Sequence, residues 1–208
     1  IDNGGPHRWD EYGPWPQPDM PRWVDASWSE PEEGGEGNLY ARWLVNRLKP
    51  DIDRRYRTRP QAEHTGIGGS SMGGLISLYT GIYRPDVFGR VMAMSPAVWM
   101  AETGGPWLSH NALPLMIQVW DPPVGARFWI DAGTEERSRE TDPDVTDESG
   151  ARVTYPRAYV EGARLAAEAL RARGVPAEDI RLVIDEGAPH HESAWARRFE
   201  EAVLWLFP

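Results

Sequence analysis

Gly69-Ser70-Ser71-Met72-Gly73 sets a serine between two glycines at the spacing G-x-S-x-G. That spacing suits a nucleophile. The serine must sit on a sharp turn from strand to helix, its backbone strained and its hydroxyl exposed, so that an electrophile can reach it. Small residues two positions away on either side let neighbouring backbone pass close to the turn. The flanks agree. His64-Thr65-Gly66-Ile67-Gly68 reads as a short buried strand ending at the turn, and Leu75, Ile76, Tyr79 and Ile82 then recur at helical spacing until Pro85. A Gly/Ser-rich loop without chemistry has the same five letters, so the strand before and the helix after are what single out Ser71.

A serine hydroxyl near neutral pH is a poor nucleophile without an adjacent base. Downstream of Ser71 the chain offers a base and an acid to orient it. Ala126-Arg127-Phe128-Trp129-Ile130 reads as a strand and ends in Asp131-Ala132-Gly133-Thr134-Glu135-Glu136. A further strand, Ile180-Arg181-Leu182-Val183-Ile184, leads into Asp185-Glu186-Gly187-Ala188-Pro189-His190-His191. Functional groups in open α/β sheets collect beyond the carboxyl ends of the strands. The order serine, acid, histidine along the chain is that of α/β-hydrolases. A histidine so placed takes the serine proton and later delivers it to the leaving alcohol, while the acid orients the imidazole and stabilises its charged form. The Met72 backbone N–H, one residue past the nucleophile, is the natural first oxyanion donor. Solvated carboxylates at a loop start and a surface histidine are the plain alternatives for the same residues. Their joint position at strand ends weighs against those alternatives.

Gly68-Gly69-Ser70-Ser71-Met72-Gly73-Gly74-Leu75, then Tyr83-Arg84-Pro85-Asp86-Val87-Phe88-Gly89 and Met94-Ser95-Pro96-Ala97-Val98-Trp99, resembles a known family of esterases. That family holds enterochelin-esterase-like hydrolases, feruloyl and acetylxylan esterases, and mycolyltransferases. The opening Ile1-Asp2-Asn3-Gly4-Gly5 and the closing His190-His191-Glu192-Ser193-Ala194-Trp195 are similar to it too, so the resemblance runs over nearly the whole chain. It implies the α/β-hydrolase fold, a mostly parallel sheet flanked by helices. It also implies a serine carboxylic-ester hydrolase acting through an acyl-enzyme on a small-molecule ester, with no organic cofactor and no metal. The family's acid lies three residues after the glycine of a Gly-Thr-x-Asp/Glu turn, which implies Glu136 ahead of Glu135. Its histidine opens a His-Asn-Glu-x-x-Trp-like segment, which implies His190, with His191 standing where Asn is common. The loop after the strand Val91-Met92-Ala93-Met94-Ser95 borders the family's active site, so Trp99 is a candidate for substrate binding. Arg8, Glu11 and Tyr12 match an Arg…Glu-Tyr pattern that suggests a polar contact near the site, a purely structural salt bridge being an equal reading. Asn3, in the opening segment, is a third substrate-binding candidate beside Arg8 and Trp99. Two other functions fit the resemblance: an acyltransferase of the mycolyltransferase type, and a non-catalytic binding domain on the same fold.

The remaining elements must hold these residues in place. At 208 residues, one domain covering 1–208 is the default. Residues 5–37 are rich in Pro, Gly and Trp and lack strand alternation. Trp9, Tyr12, Trp15, Trp23 and Trp28 there either line a cleft or cover the sheet and helices. Asn38 reads as the cap of a helix carrying Tyr40, Trp43, Leu44 and Leu48, closed by Pro50. Residues 134–156 form a long acidic connection, a candidate lid. Tyr159, Ala163, Ala166 and Leu170 mark a helix closed by Gly174, and Trp195, Phe199, Ala202 and Leu206 read as the buried face of the last one. The family has several strands and a helix before the segment resembling Ile1-Asp2-Asn3-Gly4-Gly5. The sequence therefore reads as a domain without those strands and without a second oxyanion donor from an early loop.

A net charge of −10 argues against nucleic acid and anionic membrane surfaces as partners. The absence of cysteine excludes disulfides and thiolate metal sites. No apolar run is long enough to span a membrane as a helix. Oligomeric state and compartment leave no mark in the sequence.

Overall fold

The computed structural model of the chain describes residues 5–17, 33–101, 111–137, 145–146 and 152–208. In chain order its elements begin with helix α1 (Arg8–Tyr12), strands β1 (Pro16–Gln17) and β2 (Glu33–Gly34), helix α2 (Gly37–Trp43) and helix α3 (Lys49–Arg55). Strand β3 (Gly66–Ser70), helix α4 (Met72–Tyr83), strand β4 (Arg90–Met94) and helix α5 (Ala112–Val119) follow. The chain continues with β5 (Arg127–Glu135), β6 (Val145–Thr146), β7 (Arg152–Val153), helix α6 (Tyr155–Ala172), β8 (Ile180–Pro189) and helix α7 (Glu192–Leu206). The short strands β1 and β2 pair antiparallel, as do β6 and β7.

The four longer strands form one parallel sheet in the order β3-β4-β5-β8. In register, Ser70 lies opposite Met94, Met94 opposite Asp131, and Asp131 opposite Val183, so all four strands end on the same edge. Helices cover the sheet on both faces, and its side chains obey the period of two that a strand imposes. Val91 and Ala93 of β4, Phe128, Ile130 and Ala132 of β5, and Ile180, Leu182 and Ile184 of β8 face a large core shared with Leu75, Leu78 and Ile82 of α4 and Ala163, Ala166 and Leu170 of α6. The alternate residues Met92, Met94, Trp129 and Val183 face a smaller core closed by Ala202, Leu206 and Trp205 of α7. Helix α7 therefore covers one face while α4, α5 and α6 cover the other, with α1 and α2 packed outside α4. This is the α/β-hydrolase arrangement of a parallel sheet between helical layers.

Several local expectations are corrected. The elbow strand is Gly66–Ser70 rather than residues 64–68, and it is half-exposed, with β4 on one side only among the described residues. The strands read as ending at Ile130 and Ile184 run on to Glu135 and Pro189. Helix α2 is capped at Glu36 instead of Asn38, and Pro50 does not end the helix. A π-helical turn over Leu44–Leu48 intervenes, and Pro50 takes the second position of α3 directly after it. In α7 the buried stripe is Ala194, Arg198, Ala202 and Leu206, whereas Phe199 is 51% exposed. The candidate lid contains the β6–β7 pair, and residues 138–144 and 147–151 of it lie outside the described residues.

Candidate active site

Each of the four parallel strands ends one residue short of a polar side chain: Ser71 after β3, Ser95 after β4, Glu136 after β5 and His190 after β8. Because the strands are parallel and in register, these residues share one edge of the sheet.

Ser71 has φ 58° and ψ −123°, a conformation that β-carbon-bearing residues avoid at a cost of about 1–3 kcal/mol. Surrounding backbone holds it there. The Ser71 N–H donates to the Met94 carbonyl at 2.9 Å, and its own carbonyl accepts from the N–H groups of Gly74, Leu75 and Ala97 at 3.0–3.1 Å. A β-carbon added at Gly69 would lie 2.6 Å from the Gly73 carbonyl oxygen, and one at Gly74 would lie 3.0 Å from Pro96 Cα. One at Gly73 would meet nothing within 4 Å. The close approaches thus fall at Gly69 and Gly74, not symmetrically at Gly69 and Gly73. Met72 opens α4, so its N–H has no carbonyl of its own helix to bond and points out of the first turn beside Ser71.

The His190 Nε2 lies 3.0 Å from Ser71 Oγ, and its Nδ1 lies 2.6 Å from Glu136 Oε2. An ionised carboxylate can only accept, so Nδ1 carries the hydrogen and Nε2 is left to accept from Ser71. The imidazole is packed between Tyr159 of α6, 4.6 Å between ring centroids, and Trp195 of α7, 4.9 Å and nearly perpendicular. Tyr159 in turn meets Trp99 edge-on at 6.2 Å. Trp99 is buried in the larger core, one ring removed from His190.

The strand ladder separates the two candidate glutamates. Its register slips between Gly133 and Glu135, and Glu135 stays paired opposite Pro189 with its side chain exposed. Glu136 instead turns into the interior, where its side chain is fully buried. Its Oε1 accepts from the Gly133 N–H and from the Ser95 hydroxyl, each at 2.5 Å. A β-carbon at Gly133 would run into the Ala188 carbonyl, so only glycine lets β5 and β8 close up at this point. The Thr134 hydroxyl ties the same region together by accepting from Gly187 N–H at 2.8 Å.

Beneath Glu136 lies a buried ion cluster that the sequence reading missed. Arg198 donates to Asp131 Oδ1 at 2.9 Å, to Asp185 Oδ2 at 2.7 Å and to Ser95 Oγ at 3.3 Å. Trp129 Nε1 donates to Asp131 Oδ2 at 2.7 Å, and the Ser95 N–H to Asp131 Oδ1 at 3.2 Å. Burial pushes the Asp131 carboxyl above the ordinary carboxylate range, against the pull of Arg198, Trp129 and Ser95. Burial likewise works against the Arg198 charge, but the attraction of Asp131 and the bonds to Asp185 and Asp131 outweigh it and hold the guanidinium above its ordinary value. The two shifts pull the pair in opposite senses. Three donors meet the Asp131 carboxylate, and the pair stands ionised. The available signal was a lone arginine on the apolar stripe of an amphipathic helix: Ala194, Arg198, Ala202, Leu206.

The other candidates are more dispersed. His191 is exposed, and its ring accepts from the Ser193 N–H at 3.1 Å, capping α7. Arg8 opens α1 and is half-buried; among the described residues no hydrogen bond or ion pair joins it to Ser71, His190 or Glu136. Asn3 lies outside the described residues. Among the described residues no group of three or more His, Asp or Glu side chains is placed to hold a metal ion, and no helix is long and apolar enough to cross a membrane.

The family described as "Putative esterase" matches residues 1–206. The uncharacterized protein YbbA of Bacillus subtilis is 26% identical over 202 residues, which are 97% of this chain and 70% of that protein. The enterobactin esterase FES of Shigella flexneri superposes with a TM-score of 0.61 at 19% identity, over 81% of this chain and 38% of that one. A ferulic acid esterase of the fungus Anaeromyces mucronatus, AmCE1/Fae1A, superposes with a TM-score of 0.56 at 21% identity, over 83% of this chain and 55% of that one. The chain thus spans little more than a third to a half of the length of these solved esterases.

Proposed function

The chain belongs to the esterase family, and from that premise we propose that it hydrolyses carboxylic esters of small molecules through an acyl-enzyme on Ser71. The observation that carries this reading is the unbroken hydrogen-bond chain from Ser71 Oγ through His190 to Glu136. In this reading His190 Nε2 takes the hydroxyl proton as Ser71 Oγ attacks the ester carbonyl. The imidazolium then gives that proton to the departing alcohol, leaving Ser71 acylated. Water, deprotonated by the same nitrogen, attacks the acyl carbonyl; the bond from that carbon to Ser71 Oγ then breaks, the imidazolium returns its proton to Oγ, and the acid is released. Glu136 stays ionised throughout and stabilises the imidazolium of both halves. The Met72 N–H donates to the oxyanion in each tetrahedral intermediate. The names of the two solved relatives, an enterobactin esterase and a ferulic acid esterase, support the ester class. Trp99, Arg8 and Asn3 are proposed substrate contacts.

The test combines hydrolysis of a nitrophenyl ester with labelling by a fluorophosphonate. The wild-type chain should do both, and Ser71→Ala should do neither. Labelling that persists in Ser71→Ala, or that maps to Ser70, overturns the reading.

A further inference from the structure

We infer that Ser95 is a positioning residue for the proposed reaction: its hydroxyl orients the Glu136 carboxylate and keeps it ionised against His190. This rests on the esterase reading above.

The direction of every hydrogen around Ser95 follows from its partners. Trp195 Nε1 lies 2.9 Å from Ser95 Oγ, and Arg198 Nη2 lies 3.3 Å away. Both groups can only donate, so the Ser95 oxygen accepts from them. Its one hydrogen is then committed to Glu136 Oε1, 2.5 Å distant. With the Gly133 N–H this fills Oε1 and leaves Oε2 to His190 Nδ1. Trp195 also stands nearly perpendicular to the His190 ring. One hydroxyl therefore links the acid, the ring that packs against the base, and the buried Arg198–Asp131 pair.

The backbone agrees. Ser95 is fully buried and, apart from Ser71, is the only described non-glycine residue with a positive φ, 42°. A serine held in that region signals a constraint stronger than local preference. Its position repeats that of the other three site residues, one step past a strand end.

Removing a donor from a buried carboxylate makes the His190–Glu136 pair hold a proton more tightly, whichever member carries it. Among the described residues, the other ionisable groups around the pair are Arg198 of α7, Asp131 of β5, Asp185 of β8, Tyr159 of α6, and Glu135 and Arg137 beside Glu136 in the chain. Replacing Ser95 leaves all of them in place.

The experiment measures nitrophenyl acetate hydrolysis against pH for wild type, Ser95→Ala and Ser95→Gly, with fluorophosphonate labelling as the check on the nucleophile. Glycine adopts φ 42° without strain and alanine keeps the β-carbon that serine already carries there, yet both lack the hydroxyl. Both should lower kcat by roughly ten- to a hundredfold, the loss expected of a hydrogen bond to a charged group. Both should leave KM within roughly threefold, because Ser95 is too buried to touch substrate. Both should move the acid limb of the kcat/KM profile upward by roughly one pH unit. A merely structural role would lower activity in step with stability and leave the limb in place. If alanine prevents folding, glycine alone decides. A wild type that labels normally, with a folded glycine variant matching its limb and kcat, overturns this inference alone. A wild type that neither labels nor hydrolyses overturns the esterase reading, and this inference with it.

Discussion

At the scale of single residues, burial sets the energetic stakes. Arg198 and Asp131 are both buried, and each is tolerable only because the other is there. Arg198→Met removes the cation and leaves the carboxyl with Trp129 and Ser95 as donors. Burial then raises Asp131 without the guanidinium to oppose it. A carboxyl with a raised folded pKa contributes stability that is complete below its unfolded value, about 4, and is lost as pH rises through the folded value. The variant should therefore be less stable than wild type by about 3–5 kcal/mol near neutral pH, and the gap should narrow as pH falls toward about 4. Urea unfolding at the two pH values measures it. A gap that stays constant would mean that Asp131 does not titrate against burial.

At the scale of elements, two pairs of neighbours separate by role. His191 accepts from the Ser193 N–H at the start of α7, while His190 faces Ser71. His191→Ala should lower stability by about 1 kcal/mol, the worth of a lost cap, and leave kcat and KM unchanged, whereas His190→Ala should bring hydrolysis to background. Thermal unfolding and steady-state kinetics on the two variants distinguish them; the reverse pattern would exchange their roles. In the elbow, a β-carbon at Gly69 strikes backbone and one at Gly73 strikes nothing described. Gly69→Ala should lose about 1–3 kcal/mol through overpacking. Gly73→Ala, on the first turn of α4, should be neutral or gain up to about 1 kcal/mol in helix propensity. Equal losses at the two sites would show that the space beside Gly73 is filled.

At the scale of the whole molecule, the sheet brings the four strand ends to one edge, and its order grades their stability. Strands β4 and β5 have paired neighbours on both sides, whereas β3 and β8 have one among the described residues. Trp129, fully buried on β5, packs against Trp205 of α7 at 6.3 Å between centroids. In hydrogen exchange on the 208-residue chain, the amides of β4 and β5 should open only near global unfolding, and those of β3 should exchange sooner. The elbow would then sit between a firm strand and a looser one. Slowest exchange in β3 would instead require a second partner on the side away from β4.

The elements themselves were legible in the sequence because their signals are local. The spacing of Leu75, Ile76, Tyr79 and Ile82 marks a helix without reference to anything distant. So did the strand–turn–helix context of Ser71, and so did the placement of Glu136 and His190 just past strand ends. Three features were decided only by tertiary structure. Glu136 rather than Glu135 is buried where the β5–β8 ladder slips by two residues between Gly133 and Glu135. Arg198 occupies a stripe that apolar spacing assigns to the core, which made the neighbouring Phe199 the natural and mistaken choice. Ser95 passed as the last residue of a strand that in fact ends at Met94. The bonds that give these residues their meaning span 41 positions from Ser95 to Glu136, 67 from Asp131 to Arg198 and 103 from Ser95 to Arg198. Hydrophobic period encodes which face of an element is buried. Which polar groups converge on that buried face depends on strand register and helix placement, and those exist only once the chain has folded.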